Sequence, residues 1–190
     1  MSTIRWLHIS DFHYGDPRRQ QREQPWKDMS LPKVDLLFFT GDLRNINEPD
    51  FQPVVDMLQQ VKSQLHLGKN DLFLVPGNHD VDQMDPVHSR AFQEFAIRRL
   101  GSVQNVPADV LDEDGRPLTD RFSQFAAAVA PVWGHPNSTP AQVSVQPWKD
   151  KLNVIGLNTA LLSTLDSSQS QIVDSAALAA LEPEDPSLPA

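Results

Sequence analysis

Three short stretches of the sequence place metal-binding types of side chain directly after apolar runs. Carboxylate, imidazole and amide groups without sulfur suit Mn, Fe, Zn or Mg rather than a soft metal. Clustered carboxylates around bound metal ions can in turn form a local site for phosphate. The residues concerned are Asp11 and His13 in "ISDFHYG", Gly41 and Asp42 in "FFTGDLRN", and Gly77, Asn78, His79 and Asp80 in "LVPGNHDV".

The apolar runs before these residues predict the elements that position them. Residues 34–40 and 71–76 are short and almost unbroken apolar runs, which are typical of parallel strands buried on both faces. Residues 4–10 form a further predicted strand, and residues 51–68 show apolar positions at helical spacing, with Gly68 as a stop. Strands that alternate with helices predict an α/β sheet with right-handed crossovers.

Parallel strands end at one edge of their sheet, which is the usual ligand crevice of open α/β sheets. We therefore expect the three polar clusters to converge there. Gly41 and Gly77 would allow the backbone to turn sharply and would leave room for a ligand.

The remainder of the chain predicts smaller elements around this sheet. Helices are expected at 88–101 and 119–133, with Thr119 as the N-cap of the second. Residues 143–159 favour a β-hairpin that turns near Lys149-Asp150, and "SAALAAL" favours a short helix. We expect one domain over residues 1–181 and a Pro-rich, acidic tail over residues 182–190.

Composition excludes several classes of protein. The formal net charge of −9 argues against broad, non-specific binding to nucleic acid, because a surface that follows phosphates is usually basic. The absence of cysteine excludes a disulfide framework and a thiolate metal site. No apolar run reaches membrane-spanning length, and the N-terminus shows no secretion signal, so the prediction is a cytoplasmic protein without a membrane partner.

Each of the three motifs alone also has an ordinary structural interpretation. Asp11 could cap a helix, Gly41-Asp42 could be a loop turn, and His79 could be a satisfied histidine of the core. The combination favours a shared functional site over these structural roles, because all three motifs follow apolar strands, come in order and are spaced by about one βαβ unit.

Taken together, the motifs resemble the first three motifs of the calcineurin-like metallophosphoesterases. The segment "LNVIGLNTAL" also resembles the strand that follows the variable middle region of that family. The resemblance covers residues 3–165 and is strongest up to residue 82. It implies an α/β fold in which two sheets and flanking helices form an αββα sandwich, with two divalent metal ions and a bridging water that attacks a phosphate ester.

The resemblance also implies roles for individual residues. Asp11 and His13 would ligate the first metal, Asp42 would bridge both metals, and Asn78 would ligate the second. His79 would lie beside the phosphate as a proton donor or charge stabiliser. Asp80 would orient His79 and favour its protonated form.

The chain departs from the family pattern in its later part. The family has a histidine after a late strand and then a Gly-His-x-His turn, whereas the last histidine here is His135, which precedes the late strand and is followed by Pro136. We interpret His135 as a loop residue, and His8 and His66 as structural. The domain is therefore expected to be incomplete at its C-terminal end, with an exposed sheet edge that a further segment or chain would cover.

Two functions from different classes remain open on this basis. One is a metal-dependent hydrolase of phosphate mono- or diesters, and the other is a catalytically weak or inactive binding or regulatory module of a longer protein. The loop with Arg18, Arg19 and Arg22 is either a solvated charged loop or a contact for substrate phosphate or nucleic acid, and Trp26 either packs this loop or stacks on a base. A nuclease effector would rest on this loop alone.

Overall fold

The computed structural model describes residues 3–16, 31–45, 48, 50–81, 122–134 and 143–160. Several predictions fall outside these residues: the 88–101 helix, the "SAALAAL" helix, the tail, the arginine-containing loop, Thr119 and His135. The described elements are the strands β1 (Trp6–Ser10), β2 (Leu36–Thr40), β3 (Leu72–Val75), β4 (Val143–Trp148) and β5 (Leu152–Leu157), and the helices α1 (Gln52–Leu65) and α2 (Ser123–Val129).

The strands β1, β2 and β3 form the predicted parallel sheet, in which their order is β1-β2-β3. Ser10 is paired with Thr40 and Thr40 with Val75, so the three strands end at the same level. Most of β2 and β3 is buried, in agreement with their apolar composition. This register brings the residues after all three strands to one edge of the sheet.

The helix α1 covers one face of the sheet. Its buried positions recur at helical spacing, and together with α2 they form the larger hydrophobic core against β2 and β3. The predicted stop at Gly68 is wrong, because α1 ends earlier, at Leu65, with His66 as its C-cap. His66 takes a left-handed conformation with φ of 56°, and the amides of His66 and Leu67 bond back to Ser63 and Lys62.

The predicted 119–133 helix corresponds to α2, which ends shortly before Pro131. Phe125 and Val129 are its buried positions, and Phe125 contacts Phe51 edge to face, with ring centroids 6.1 Å apart. No helix in the described part of the chain is long and apolar enough to span a membrane.

The strands β4 and β5 form the predicted antiparallel hairpin, with Trp148 paired with Leu152. Lys149 and Asp150 both have positive φ values, 48° and 50°, at the turn. Trp148 is buried against Leu36 and Phe73 on the face of the parallel sheet opposite the larger core. The described layers are thus helices, parallel sheet and hairpin, which confirms the predicted mixed α/β fold.

Asp71, just before β3, fixes the hairpin to the sheet. Its Oδ1 atom accepts a hydrogen bond from Trp148 Nε1 at 2.8 Å and lies 2.7 Å from Lys149 Nζ. Burial alone would raise the pKa of Asp71, but the bonds from Lys149, Trp148 and the amide of Gly68 outweigh it and lower the pKa below its usual value. Asp71 is therefore a charged anchor between the two sheets.

Candidate metal centre

The segment after β1 runs beside the segment after β2 and continues the backbone pairing of the two strands. Asp11 N donates to Gly41 O at 3.2 Å, His13 N donates to Asp42 O at 2.8 Å, and Tyr14 N donates to Leu43 O at 3.0 Å. These bonds hold the first two motifs side by side, as their place at the ends of neighbouring parallel strands predicts.

Three of the predicted ligands have a left-handed backbone. The φ values are 52° for Asp11, 49° for His13 and 52° for Asp42. The left-handed region is unfavourable for residues with a Cβ atom. Backbone strain of this kind concentrates at functional sites, where it gives side chains a direction that an ordinary strand end would not. The neighbouring Gly41 has φ of 80°, which glycine adopts easily.

A cluster of imidazole and carboxylate groups lies at this strained edge. His13 Nε2 is 3.6 Å from Asp42 Oδ2 and 3.9 Å from Asp11 Oδ1. The rings of His13 and His79 meet edge to face, with centroids 4.4 Å apart. One ligand atom each from His13, Asp42 and His79 can be chosen so that all three lie within 4.8 Å of one another. A divalent ion fits this donor set, which combines imidazole nitrogen with carboxylate oxygen.

The third strand end contacts the second so closely that only glycine fits there. A Cβ atom at Gly77 would overlap the backbone amide and the carboxylate of Asp42, with Asp42 Cγ at 2.9 Å. A Cβ atom at Gly41 would lie 2.9 Å from Gly77 Cα. Both glycines therefore allow the strand ends to approach, as the sequence predicted for them.

The Asp80 side chain links the segments that follow β2 and β3. Its fully buried carboxylate accepts hydrogen bonds from the amides of Leu43 (3.0 Å), Arg44 (3.4 Å) and Gly77 (3.0 Å). Burial raises the pKa of this carboxyl to about 7, the three amide bonds oppose the rise, and the nearby Asp42 carboxylate adds to it. Asp80 was predicted to orient His79, and these contacts add a backbone-holding role for it.

The structure brings the predicted site residues to one place. Asp11, Asp42 and Asn78 line the same cavity, and His13 and His79 join Asp42 in the donor cluster. His79, predicted to lie beside the substrate, is therefore also within reach of an ion held by His13 and Asp42. His8 lies in β1 and bonds to Thr40 Oγ1 through Nε2 at 2.6 Å, and His66 ends α1, so both have the structural roles expected of them.

The hairpin side of the cavity was not predicted as part of the site. Gln146, Gly156 and Thr159 line the cavity together with the motif residues. Their spacing in the sequence does not indicate a functional site, because the hairpin comes close to the site only through the packing of β5 beside β3. The pattern of the sequence predicts the hairpin itself but not the face of the sheet that it covers.

The sequence model for calcineurin-like phosphoesterases matches residues 4–158. The chain belongs to the calcineurin-like phosphoesterase family. This confirms the resemblance drawn from the three motifs, and it places the cluster of His13, Asp42 and His79 in a family of metal-dependent phosphoester hydrolases that bind divalent metals.

The chain is also similar to a curated protein of Bacillus subtilis (strain 168), the "Uncharacterized metallophosphoesterase-like protein YydB". The two are 24% identical over 172 residues, which cover 84% of this chain and 34% of the relative. The chain therefore spans about a third of the length of this relative.

Proposed function

We propose that this calcineurin-like phosphoesterase binds divalent metal ions at the edge of its parallel sheet and hydrolyses phosphate mono- or diesters there. The observation that carries the proposal is the convergence of His13, Asp42 and His79, from the ends of three neighbouring strands, to within 4.8 Å. Mn, Fe, Zn or Mg are the ions that suit these donors.

The ligand assignment follows the position of each side chain. Asp11, His13 and Asp42 would hold the first metal, and Asp42 and Asn78 would hold the second. Asp42 is suited to both because its Oδ2 faces His13, while its Oδ1 faces the third motif and accepts the His79 amide. When bound, the metal ions supply Lewis acidity to a phosphoryl oxygen and activate a water for attack.

The catalytic roles fall to His79 and Asp80. The backbone of His79 is fixed by Asp42 Oδ1 at 2.9 Å, so its ring is presented at a defined place beside the cluster. From there the ring can donate a proton to the leaving oxygen or stabilise the charge on the phosphoryl group. Asp80 supports this position because its carboxylate accepts the Gly77 amide and its own amide donates to Gly77 O, which closes the turn that carries His79.

A second candidate is a catalytically weak or inactive module that binds metal or phosphate within a longer protein. The observation that favours it is in the sequence: no histidine follows His135, so this chain has no late Gly-His-x-His motif. The cytoplasmic location, a contact with nucleic acid and a further segment over the sheet edge stay predictions in either case.

Turnover of bis(p-nitrophenyl) phosphate with added Mn²⁺ separates the two candidates. If the protein is a hydrolase, we expect slow, metal-dependent release of p-nitrophenol, and this release should disappear in the Asp42→Asn variant. Asp56→Asn is the matched control, because Asp56 is exposed on α1 and bonds to Gln52. Metal binding without turnover would favour the binding module, and turnover that survives in Asp42→Asn would contradict the proposed centre.

A further inference from the structure

A cavity of about 470 Å³ opens directly beside the candidate metal centre. At one end it is lined by Asp11, Asp42 and Asn78, three of the proposed ligands. The rest of the cavity extends between the parallel sheet and the hairpin. Its volume is in the range of pockets that enclose small molecules. The organic group of a phosphate ester held at the centre would therefore point either into solvent or into this cavity.

Aromatic and aliphatic side chains form the walls away from the centre. Phe38 from β2 and Phe73 from β3 lie with ring centroids 5.7 Å apart and ring planes tilted by 31°. Val154 and Leu157 from β5 also line the cavity. Such walls stabilise an apolar group by removing it from water.

The charges around the cavity discriminate against anionic groups. Among the described residues that line it, none is Lys, Arg or His, and the charged ones are Asp11 and Asp42 at the metal end. Three further polar side chains of the lining are neutral, namely Thr40, Gln146 and Thr159. A second phosphate or a carboxylate in the cavity would lose its hydration and would meet no cationic side chain from the described part of the lining.

We propose that this cavity selects phosphate esters whose organic group is uncharged, apolar and about the size of one aromatic ring. Nucleoside polyphosphates and sugar diphosphates would be poor substrates, because their second anionic group would lie between apolar walls. This inference deepens the proposed function and rests on it.

Binding of two phosphonates to the Mn²⁺-loaded chain, measured by calorimetry, tests the inference without turnover. Phenylphosphonate should bind at least about tenfold more tightly than methylphosphonate, since one ring buried between apolar walls supplies that difference. 4-Phosphonobenzoate, which adds a carboxylate to the ring, should lose most of this advantage. Equal affinities for phenylphosphonate and methylphosphonate would overturn the inference and leave the metal centre intact. Failure of both phosphonates to bind would overturn the proposed function and this inference with it.

Gly156→Leu provides the matched test within the cavity. Gly156 lines the cavity, and strand alternation puts it on the same face of β5 as Val154, which packs against the parallel sheet. Among the described glycines, positive φ values occur at Gly15 and Gly41, so the backbone conformation of Gly156 does not itself disfavour a side chain. The variant should bind phenylphosphonate no better than methylphosphonate.

Lys151→Leu is the control, because it adds the same apolar side chain to the hairpin at an exposed position that does not line the cavity. It should retain the preference for phenylphosphonate. A preference that persists in a folded Gly156→Leu protein would overturn the inference. If circular dichroism shows that this variant is unfolded, the ligand comparison on the unmodified chain decides alone.

Discussion

Asp42 Oδ1 accepts a hydrogen bond from the backbone amide of His79 at 2.9 Å. A reciprocal bond runs the other way, because the Asp80 carboxylate accepts the amide of Leu43 at 3.0 Å. A carboxylate from each of the second and third motifs thus accepts a hydrogen bond from the backbone of the other motif. The ends of β2 and β3 therefore form one unit, and a change in either motif should disturb both.

Replacement of Gly77 by alanine should damage this unit. The added methyl group would overlap the amide and carboxylate of Asp42, and overpacking of this kind costs about 1–3 kcal/mol of unfolding free energy. Urea unfolding should show the loss of stability, and calorimetry should show weaker Mn²⁺ binding, because the Asp42 carboxylate is displaced.

Gly68→Ala is the control for that substitution. A Cβ atom at Gly68 would lie 3.3 Å from Asp71 Oδ2, and Gly68 has an ordinary extended backbone with φ of −77°. The Gly68→Ala variant should bind Mn²⁺ with the affinity of the unmodified chain. A Gly77→Ala protein with unchanged stability and unchanged affinity would show that the two strand ends are not packed as described.

Substitution of Asp11 should separate backbone strain from metal binding. At φ of 52°, glycine is favoured over alanine, so metal-free Asp11→Gly should be more stable than metal-free Asp11→Ala by about 1 kcal/mol. Both variants should bind Mn²⁺ more weakly, because both lack the carboxylate. Urea unfolding with a chelator present measures the first effect, and equal stability of the two variants would mean that Asp11 is not in the left-handed region in solution.

Acid should weaken the attachment of the hairpin through Asp71. The pKa of Asp71 is lowered in the folded chain, so its contribution to stability is present above its ordinary value of 3.8 and is lost as the pH falls through the lower folded value. Asp71→Asn should cost about 1–3 kcal/mol at neutral pH, since it weakens the bonds from Trp148 and Lys149.

The difference between Asp71→Asn and the unmodified chain should shrink as the pH is lowered below 3.8, as measured by thermal unfolding over a pH series. The exposed Asp56→Asn variant should show no such change. A difference that stays constant down to the most acidic pH would contradict the charged state assigned to Asp71.

The parallel sheet could be predicted because its strands are buried. A run such as "VDLLFFT" leaves few alternatives to a strand covered on both faces, and β2 occupies Leu36–Thr40 within it. The end of α1 could not be predicted, because His66 adopts the left-handed conformation that glycine usually provides, and the sequence pointed to Gly68.

The convergence of the three motifs followed from parallel strands, but its details did not. The left-handed conformations of Asp11, His13 and Asp42 depend on contacts between strand ends, so residue types alone do not show them. Likewise, Gln146 lies more than sixty positions after the last motif and reaches the cavity only because the hairpin packs on the sheet.

Calorimetric titration of Mn²⁺ into the unmodified chain and into Asp42→Asn tests the metal centre most directly. Asp42 is shared by the proposed ligand sets, so its neutral amide analogue should bind at least about tenfold more weakly, whereas His79→Ala should lose less and Asp56→Asn should lose nothing. Equal Mn²⁺ affinity in Asp42→Asn and the unmodified chain would contradict the assignment of this strand edge as the metal centre.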